Sequence, residues 1–298
     1  MSEGEAVLID AALLNTMPLP EVEGDTDKDA RGRIIVVGGG ASAPGAAILS
    51  GLAALRAGAG KLQLAVPCSF ATQVGIALLE AGVRGFAQTA AGEPATGAGD
   101  DICADARATD AVVVGPGLRE GRPATQLARD LLRSAPDPLY VIDAMALAHI
   151  AEEPEVLERR GERTILTPHP GEMTHLCSLS KEEIQKGPLE VARSAARRFQ
   201  TMVVLKGADT CIARPDGDVF LHRGGVPGLA TSGSGDVLAG LIGGLAARGT
   251  PPLAACVWGV FVHAHAGARL VSRIGRTGFL ARELIDEIPA VLGELQHG

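Results

Sequence analysis

Aromatic side chains are scarce: the 298 residues hold six Phe, one Tyr and one Trp. Platforms on which nucleobases stack are correspondingly few. A basic excess is missing as well, since 27 Lys and Arg face 35 Asp and Glu for a net charge of −8. That balance offers a phosphate backbone no general attraction, and the two deficits together exclude nucleic acid as the expected partner. Cys68, Cys103, Cys177, Cys211 and Cys256 are odd in number and widely spaced, which argues against a disulfide framework or a cysteine zinc site. The opening residues, Met1 to Asp10, have neither the basic segment nor the apolar core of a secretory signal. No apolar run reaches the ~20 uncharged residues of a bilayer span. The best candidate, Leu253 to Leu270, contains His263, His265 and Arg269. The expectation is a reduced, cytoplasmic protein with no membrane partner.

What the chain does have is small residues, with 39 Gly and 48 Ala, and a hydrophobic content of 46% that excludes disorder for its body. Short β-branched runs alternate with Ala/Leu-rich helical stretches: Arg33 to Val37, Lys61 to Val66, Ala111 to Val114, Leu139 to Ile142, Thr164 to Leu166 and Met202 to Lys206. Continuous apolar strands separated by helices predict a mostly parallel central sheet with helices on both faces, a three-layer α/β fold. Thr210 to Ala213 and Asp218 to Leu221, joined through Pro215-Asp216-Gly217, predict an antiparallel edge. Residues 1–32 read as an N-terminal extension, with an apolar stretch from Val7 to Leu14 that suits a docking helix and an acidic run through Glu21, Glu23, Asp25, Asp27 and Asp29 that belongs in solvent. Residues 33–298 read as a single domain, and Gln88 to Asp110 as a surface loop or lid.

In open α/β sheets ligands sit outside the carboxyl ends of the strands. Five such ends carry Gly or polar residues: Gly38-Gly39-Gly40 with Pro44-Gly45-Ala46-Ala47 behind it, Gly115-Pro116-Gly117, Asp143, Thr167-Pro168-His169-Pro170-Gly171-Glu172, and Lys206-Gly207. The strongest local signal is Gly233-Ser234-Gly235-Asp236, running into a helix whose apolar residues Val237, Leu241 and Leu245 recur every four positions. A glycine turn at a helix N-terminus converges amide donors on an anion. Asp236 there suits a base toward a substrate hydroxyl, or serves only as a cap. Lys206 reads as a cation beside a phosphate, or as a snorkelling edge lysine. His169 is a substrate contact or a structural histidine, and Glu172 is placed to position water or a metal. His263 and His265, two apart on a helix, are assigned to packing, so no residue is assigned as a metal ligand. Gly38 to Gly40 do not complete a dinucleotide fingerprint, and Leu62 after Gly60-Lys61 breaks a P-loop.

Taken in order, the segments around these ends resemble the ADP-dependent (S)-NAD(P)H-hydrate dehydratases, a ribokinase-like family, over about residues 31–290. They are GRIIVVGGG, VVVGPGL, VIDAMAL, ILTPHPGEM, VVLKGADTCIARPDG and GLATSGSGDVLAGLIGGLAARG. The resemblance implies that Lys206, Gly207, Ala208, Asp209, Thr210 and Gly235 hold the adenine nucleotide, while Ala46, Gly117, His169 and Asp236 face the hydrated nicotinamide nucleotide. It implies ADP as phosphoryl donor with Mg2+, AMP and phosphate as products, a homotetramer, and any epimerase on a separate chain. Two departures stand out: Val226-Pro227-Gly228 where many members carry Asn-Pro-Gly, and Met145 after Ala144 where a second Asp is common. The alternatives are a small-molecule kinase of the hydroxymethylpyrimidine kinase type and a catalytically silent nucleotide-binding regulator.

Overall fold

The structure, a computed structural model, describes residues 6–21 and 27–297. Its strands are β1 (Val7–Leu8), β2 (Arg33–Val37), β3 (Lys61–Pro67), β4 (Ala81–Phe86), β5 (Ala111–Val114), β6 (Leu139–Ile142), β7 (Thr164–Leu166), β8 (Met202–Leu205), β9 (Thr210–Ala213) and β10 (Val219–His222). They form one sheet in the order β1-β10-β9-β8-β7-β6-β5-β2-β3-β4. Among the described residues only β9 runs against its neighbours. The central strands are apolar throughout because both faces are covered. Along β2, Ile34 and Val36 enter one core while Ile35 and Val37 enter the other, the period-2 alternation of a strand. Helices Gly45–Arg56, Ser234–Ala247, Pro252–Arg273 and Ala281–His297 pack on the first face. Helices Ala98–Arg107, Gly121–Ser134 and Pro188–Phe199 pack on the second, giving the expected three layers.

The small residues have a definite use. Where helix Ser234–Ala247 crosses helix Gly45–Arg56, a Cβ built on Gly240 would lie 2.0 Å from the Ser50 carbonyl oxygen, and one on Gly244 2.5 Å from that of Ala54. The backbones touch directly, and this contact seats the first turn of Ser234–Ala247 at the carboxyl end of the sheet.

Two expectations need correction, and one strand was not foreseen. The stretch from Val7 to Leu14 is not one helix without a place in the sheet: β1 pairs in parallel with β10, and a separate helix, Ala11–Asn15, is capped by Asp10, whose Oδ1 accepts from the Leu13 amide at 2.8 Å. Leu14 is buried, the Trp258 indole donates to the Met17 carbonyl at 2.7 Å, and Arg248 reaches the Pro20 carbonyl at 3.2 Å. The segment therefore packs on its own chain and covers the antiparallel pair at the edge. Residues 88–110 are not wholly loop, because Ala98, Ile102 and Ala106 recur every four positions and bury one face of helix Ala98–Arg107. Strand β4 was missed because its alternation is broken by Gly82, Arg84 and Gly85 at an exposed edge. Leu253 to Leu270 falls within helix Pro252–Arg273, which by length and composition alone would cross a membrane but has 67% of its apolar window buried inside the protein, so it is a core helix. In the acidic run Glu21, Asp27 and Asp29 are exposed, and Glu23 and Asp25 lie outside the described residues.

Gly240→Ala should lower stability. The helix propensity of Ala favours the change by ~1 kcal/mol, but a methyl group against a carbonyl forces two buried helices apart at a cost of ~1–3 kcal/mol or more. Urea unfolding should show a net loss of ~2 kcal/mol, and equal or higher stability would mean that the helices are not locked at this crossing.

Candidate active site

The strand order reverses between β2 and β5, the place where an open α/β sheet leaves a crevice at its carboxyl end. The loops after these strands are tied together: the Gly39 amide donates to the Pro116 carbonyl at 2.7 Å and the Gly40 amide to the Gly117 carbonyl at 3.1 Å. Gly115 has φ +125, and a Cβ there would lie 1.9 Å from the Asp143 carbonyl oxygen, so this contact requires glycine. Ala144, next to Asp143, holds φ +51, a left-handed conformation costing a non-glycine residue ~1–2 kcal/mol. Backbone packing at the crevice thus fixes where Asp143 points.

Asp143 is almost fully buried, and its Oδ1 accepts from two donors, the Thr167 hydroxyl at 2.6 Å and the Lys206 ammonium at 2.8 Å. Lys206 also lies 3.6 Å from Glu172 Oε2. Burial alone would lower the Lys206 pKa, but Asp143, Glu172 and Asp236 together outweigh it and hold the ammonium above its usual value. Asp236 shows the reverse: burial, then the Asp143 charge, push it up to about 7 against the opposing pull of Lys206. Asp236 sits in the first turn of helix Ser234–Ala247, behind Gly233 at φ +90. Among the described residues no backbone acceptor takes the amides of Gly235 and Asp236. A Cβ on Gly235 would lie 3.3 Å from the Lys206 ammonium, so this turn and that cation are neighbours.

His169 is the N-cap of helix Pro170–Leu176. Its Nδ1 accepts from the amides of Gly171 at 2.9 Å and Glu172 at 3.1 Å, while Glu172 returns a bond to the His169 amide at 2.8 Å. With Nδ1 accepting, the ring proton sits on Nε2, 3.5 Å from Glu172 Oε1.

Beside this cluster opens a cleft of about 630 Å³, lined by Lys206, Gly207, Ala208, Thr210, Gly235 and His169 from the sequence-predicted set. Asp209 is next to it, with Oδ1 accepting from the Gly224 amide at 3.4 Å. Ala46 and Gly117 do not line this cleft. They meet at the crevice, where a Cβ on Gly117 would lie 2.9 Å from that of Ala46. Asp236 does not line the cleft either, but it feels the charges of Asp143 and Lys206. Sequence reasoning left Asp143 and Thr167 without a role, and nothing in their local pattern shows that Thr167 and Lys206 share Asp143 Oδ1 as acceptor. It missed Glu93, which is buried, accepts from the Arg119 and Glu120 amides at 3.2 and 3.4 Å, and reaches Gly40 from the loop after β4. His263, assigned to packing, lines the cleft instead. His265 does pack, stacked on Phe261 with ring centroids 3.9 Å apart. Among the described residues no trio of His, Cys, Asp or Glu forms a metal cage.

Comparison with known proteins identifies the family. The chain matches the NAD(P)H-hydrate dehydratase family model over residues 34–290. It is 46% identical over 290 residues to an ADP-dependent (S)-NAD(P)H-hydrate dehydratase of Xanthomonas campestris, covering 97% of each chain. A bifunctional NAD(P)H-hydrate repair enzyme of Moorella thermoacetica is 37% identical over 279 residues, which are 94% of this chain and 52% of that one. The fold superposes with a TM-score of 0.81 on the ADP/ATP-dependent NAD(P)H-hydrate dehydratase of Bacillus subtilis co-crystallised with ATP/Mg2+, at 29% identity over 97% of this chain and 99% of the other. The ribokinase-like, three-layer architecture is thus shared along nearly the whole length, and the chain belongs to the NAD(P)H-hydrate dehydratase family.

Proposed function

We propose that this protein dehydrates the (S)-hydrate of NADH or NADPH at the expense of ADP, restoring the reduced nicotinamide nucleotide and releasing AMP and phosphate. The observation that carries this reading is the meeting, at one helix N-terminus, of a carboxyl poised near neutrality, two free amides and a buried ammonium. ADP occupies the cleft, with Lys206 to Thr210 and Gly235 around its phosphates. The hydrate lies toward Ala46 and Gly117, within reach of Asp236, and meets His169 where that residue lines the cleft. Asp236 takes the proton of the hydrate hydroxyl as its oxygen attacks the terminal phosphorus, and AMP departs. The carbon–oxygen bond then breaks with phosphate as leaving group, and a proton lost from the neighbouring ring carbon restores the double bond. Lys206 and the helix amides neutralise the charge that gathers on the transferred phosphoryl group. Asp143 and Glu172 are the oxygen ligands a magnesium ion accepts, and such an ion, when bound with ADP, would supply further charge neutralisation. We further propose a cytoplasmic homotetramer.

The direct test mixes the protein with chemically hydrated NADH, ADP and magnesium and follows the reduced-nicotinamide absorbance. Recovery of that band with stoichiometric AMP and phosphate is expected, whereas a stable phosphorylated product without recovery would identify a kinase. Asp236→Asn should lower turnover by roughly 10²- to 10⁴-fold. It should also raise stability above neutral pH. Because the folded protein holds the Asp236 proton up to about pH 7 against an ordinary value of 3.8, the fold loses stability as pH rises through that window and carries the full penalty above it. The variant's melting temperature should exceed that of wild type at pH 8 and converge with it below about pH 4. A pH-independent difference would contradict the assigned environment of Asp236. Sedimentation should give four times 30.4 kDa, and a monomer at micromolar concentration would overturn the tetramer.

A further inference from the structure

Two atoms of Ser234 face the same nitrogen of His263. Nε2 lies 3.1 Å from the Ser234 hydroxyl oxygen and 3.1 Å from the Ser234 carbonyl oxygen. A carbonyl can only accept, so Nε2 carries the ring proton and donates to both oxygens in a three-centre bond. Burial keeps the ring neutral by lowering its pKa to about 4, which the Ser234 carbonyl opposes and Lys206 reinforces. A neutral imidazole has one N–H, and here it is spent on Ser234. The Ser234 hydroxyl is thereby made an acceptor toward the protein, and its own hydrogen is left to donate elsewhere. Ser234 is 5% exposed, lines the cleft together with Gly235, Lys206 and His263, and among the described residues its hydroxyl has no other partner. Its O–H is left for a group bound in the cleft that Gly235 and Lys206 line with it.

We propose that the Ser234 hydroxyl is a directed donor to the terminal phosphate of the bound nucleoside diphosphate, and that His263 is the positioning residue that holds it in that role. The assignment deepens the reading of the cleft as the ADP site and rests on it. Ser234 contributes what the backbone amides cannot, a donor on a short rotor whose other lone pair is tied down. His263 contributes through its tautomer, since an imidazole protonated on Nδ1 would instead accept the Ser234 hydrogen and turn it away from the phosphate.

Calorimetric titration of ADP and of AMP separates this role from general support of the fold. Ser234→Ala, which removes one oxygen and adds no bulk, should weaken ADP roughly ten- to hundredfold, the value of a hydrogen bond to a charged group. AMP lacks the terminal phosphate and should stay within about twofold. His263→Leu should weaken ADP in the same selective way, while His263→Gln, whose side-chain amide still offers an N–H, should recover most of the loss. In the Ser234→Ala background His263→Leu should add little, because the two residues act through one bond. Unchanged ADP affinity in Ser234→Ala, equal losses for ADP and AMP, no rescue by Gln, or fully additive effects would each overturn the assignment. Hydrate dehydration by the wild-type sample keeps the two readings apart: if it is absent while the ADP-selective losses remain, the proposed reaction fails and the phosphate donor stands.

Discussion

One buried ammonium among three carboxylates organises the site. Lys206 lies 2.8 Å from Asp143 and 3.6 Å from Glu172, its charge acts on Asp236 as well, and it is hydrogen-bonded only to Asp143. Removing one partner of such a buried pair leaves the other charge uncompensated, at a cost of ~3–5 kcal/mol. The positions of Asp143, the residue after β6, and Lys206, the residue after β8, are therefore fixed relative to each other by more than the sheet register. Burial first, and then the Asp143 charge, hold the Asp236 proton to near neutrality, and Lys206, whose short bond goes to Asp143, opposes them only in part. A carboxyl in that condition is matched to proton transfer at physiological pH, which is the task the proposed reaction gives it.

The rest of the fold serves to bring these groups to one end. Continuous apolar strands buried on both faces place their terminal polar residues in line at the carboxyl edge, and the reversal of strand order between β2 and β5 opens the crevice there. Glycine lets the loops close upon one another without side chains, so the carbonyl of Asp143 rests against Gly115 and the first turn of Ser234–Ala247 is seated by its contact with Gly45–Arg56. The cleft beside Lys206 and the crevice between β2 and β5 both open at the carboxyl end of the parallel strands. That arrangement suits the transfer of a group between two nucleotides held apart.

Most of the architecture was legible because it rests on local signals. The apolar runs of β2, β5, β6 and β8 and the Gly-Ser-Gly-Asp turn before a helical period need no tertiary information to be read. What escaped depends on contacts distant in sequence. Val7 and Leu8 are too few to declare a strand until β10 offers its edge. Strand β4 carries Gly and Arg where alternation was sought, and its place is set by pairing with β3. In the site, Lys206, Asp236, His169 and the residues from Gly207 to Thr210 announced themselves at strand ends and at a helix start. Thr167, Glu93 and His263 acquire meaning only from what they touch, and a histidine on a helix apolar on most sides gives no local sign that its ring faces a cleft. Of the two departures from the family pattern, Val226 lines the cleft and packs partly on the first core, while Met145 packs on the second, so apolar burial stands where polar groups are common in relatives.

The central claim is that Asp143 captures Lys206 and so leaves Asp236 poised. Carboxyl carbon NMR titration of Asp236 in the wild-type protein and in Asp143→Asn tests it directly. The account predicts a midpoint near 7 in wild type and a clear fall in the variant, where one repelling charge is gone and Lys206 is free to turn to Asp236. A midpoint near the ordinary 3.8 in wild type, or one that Asp143→Asn leaves in place, would contradict it.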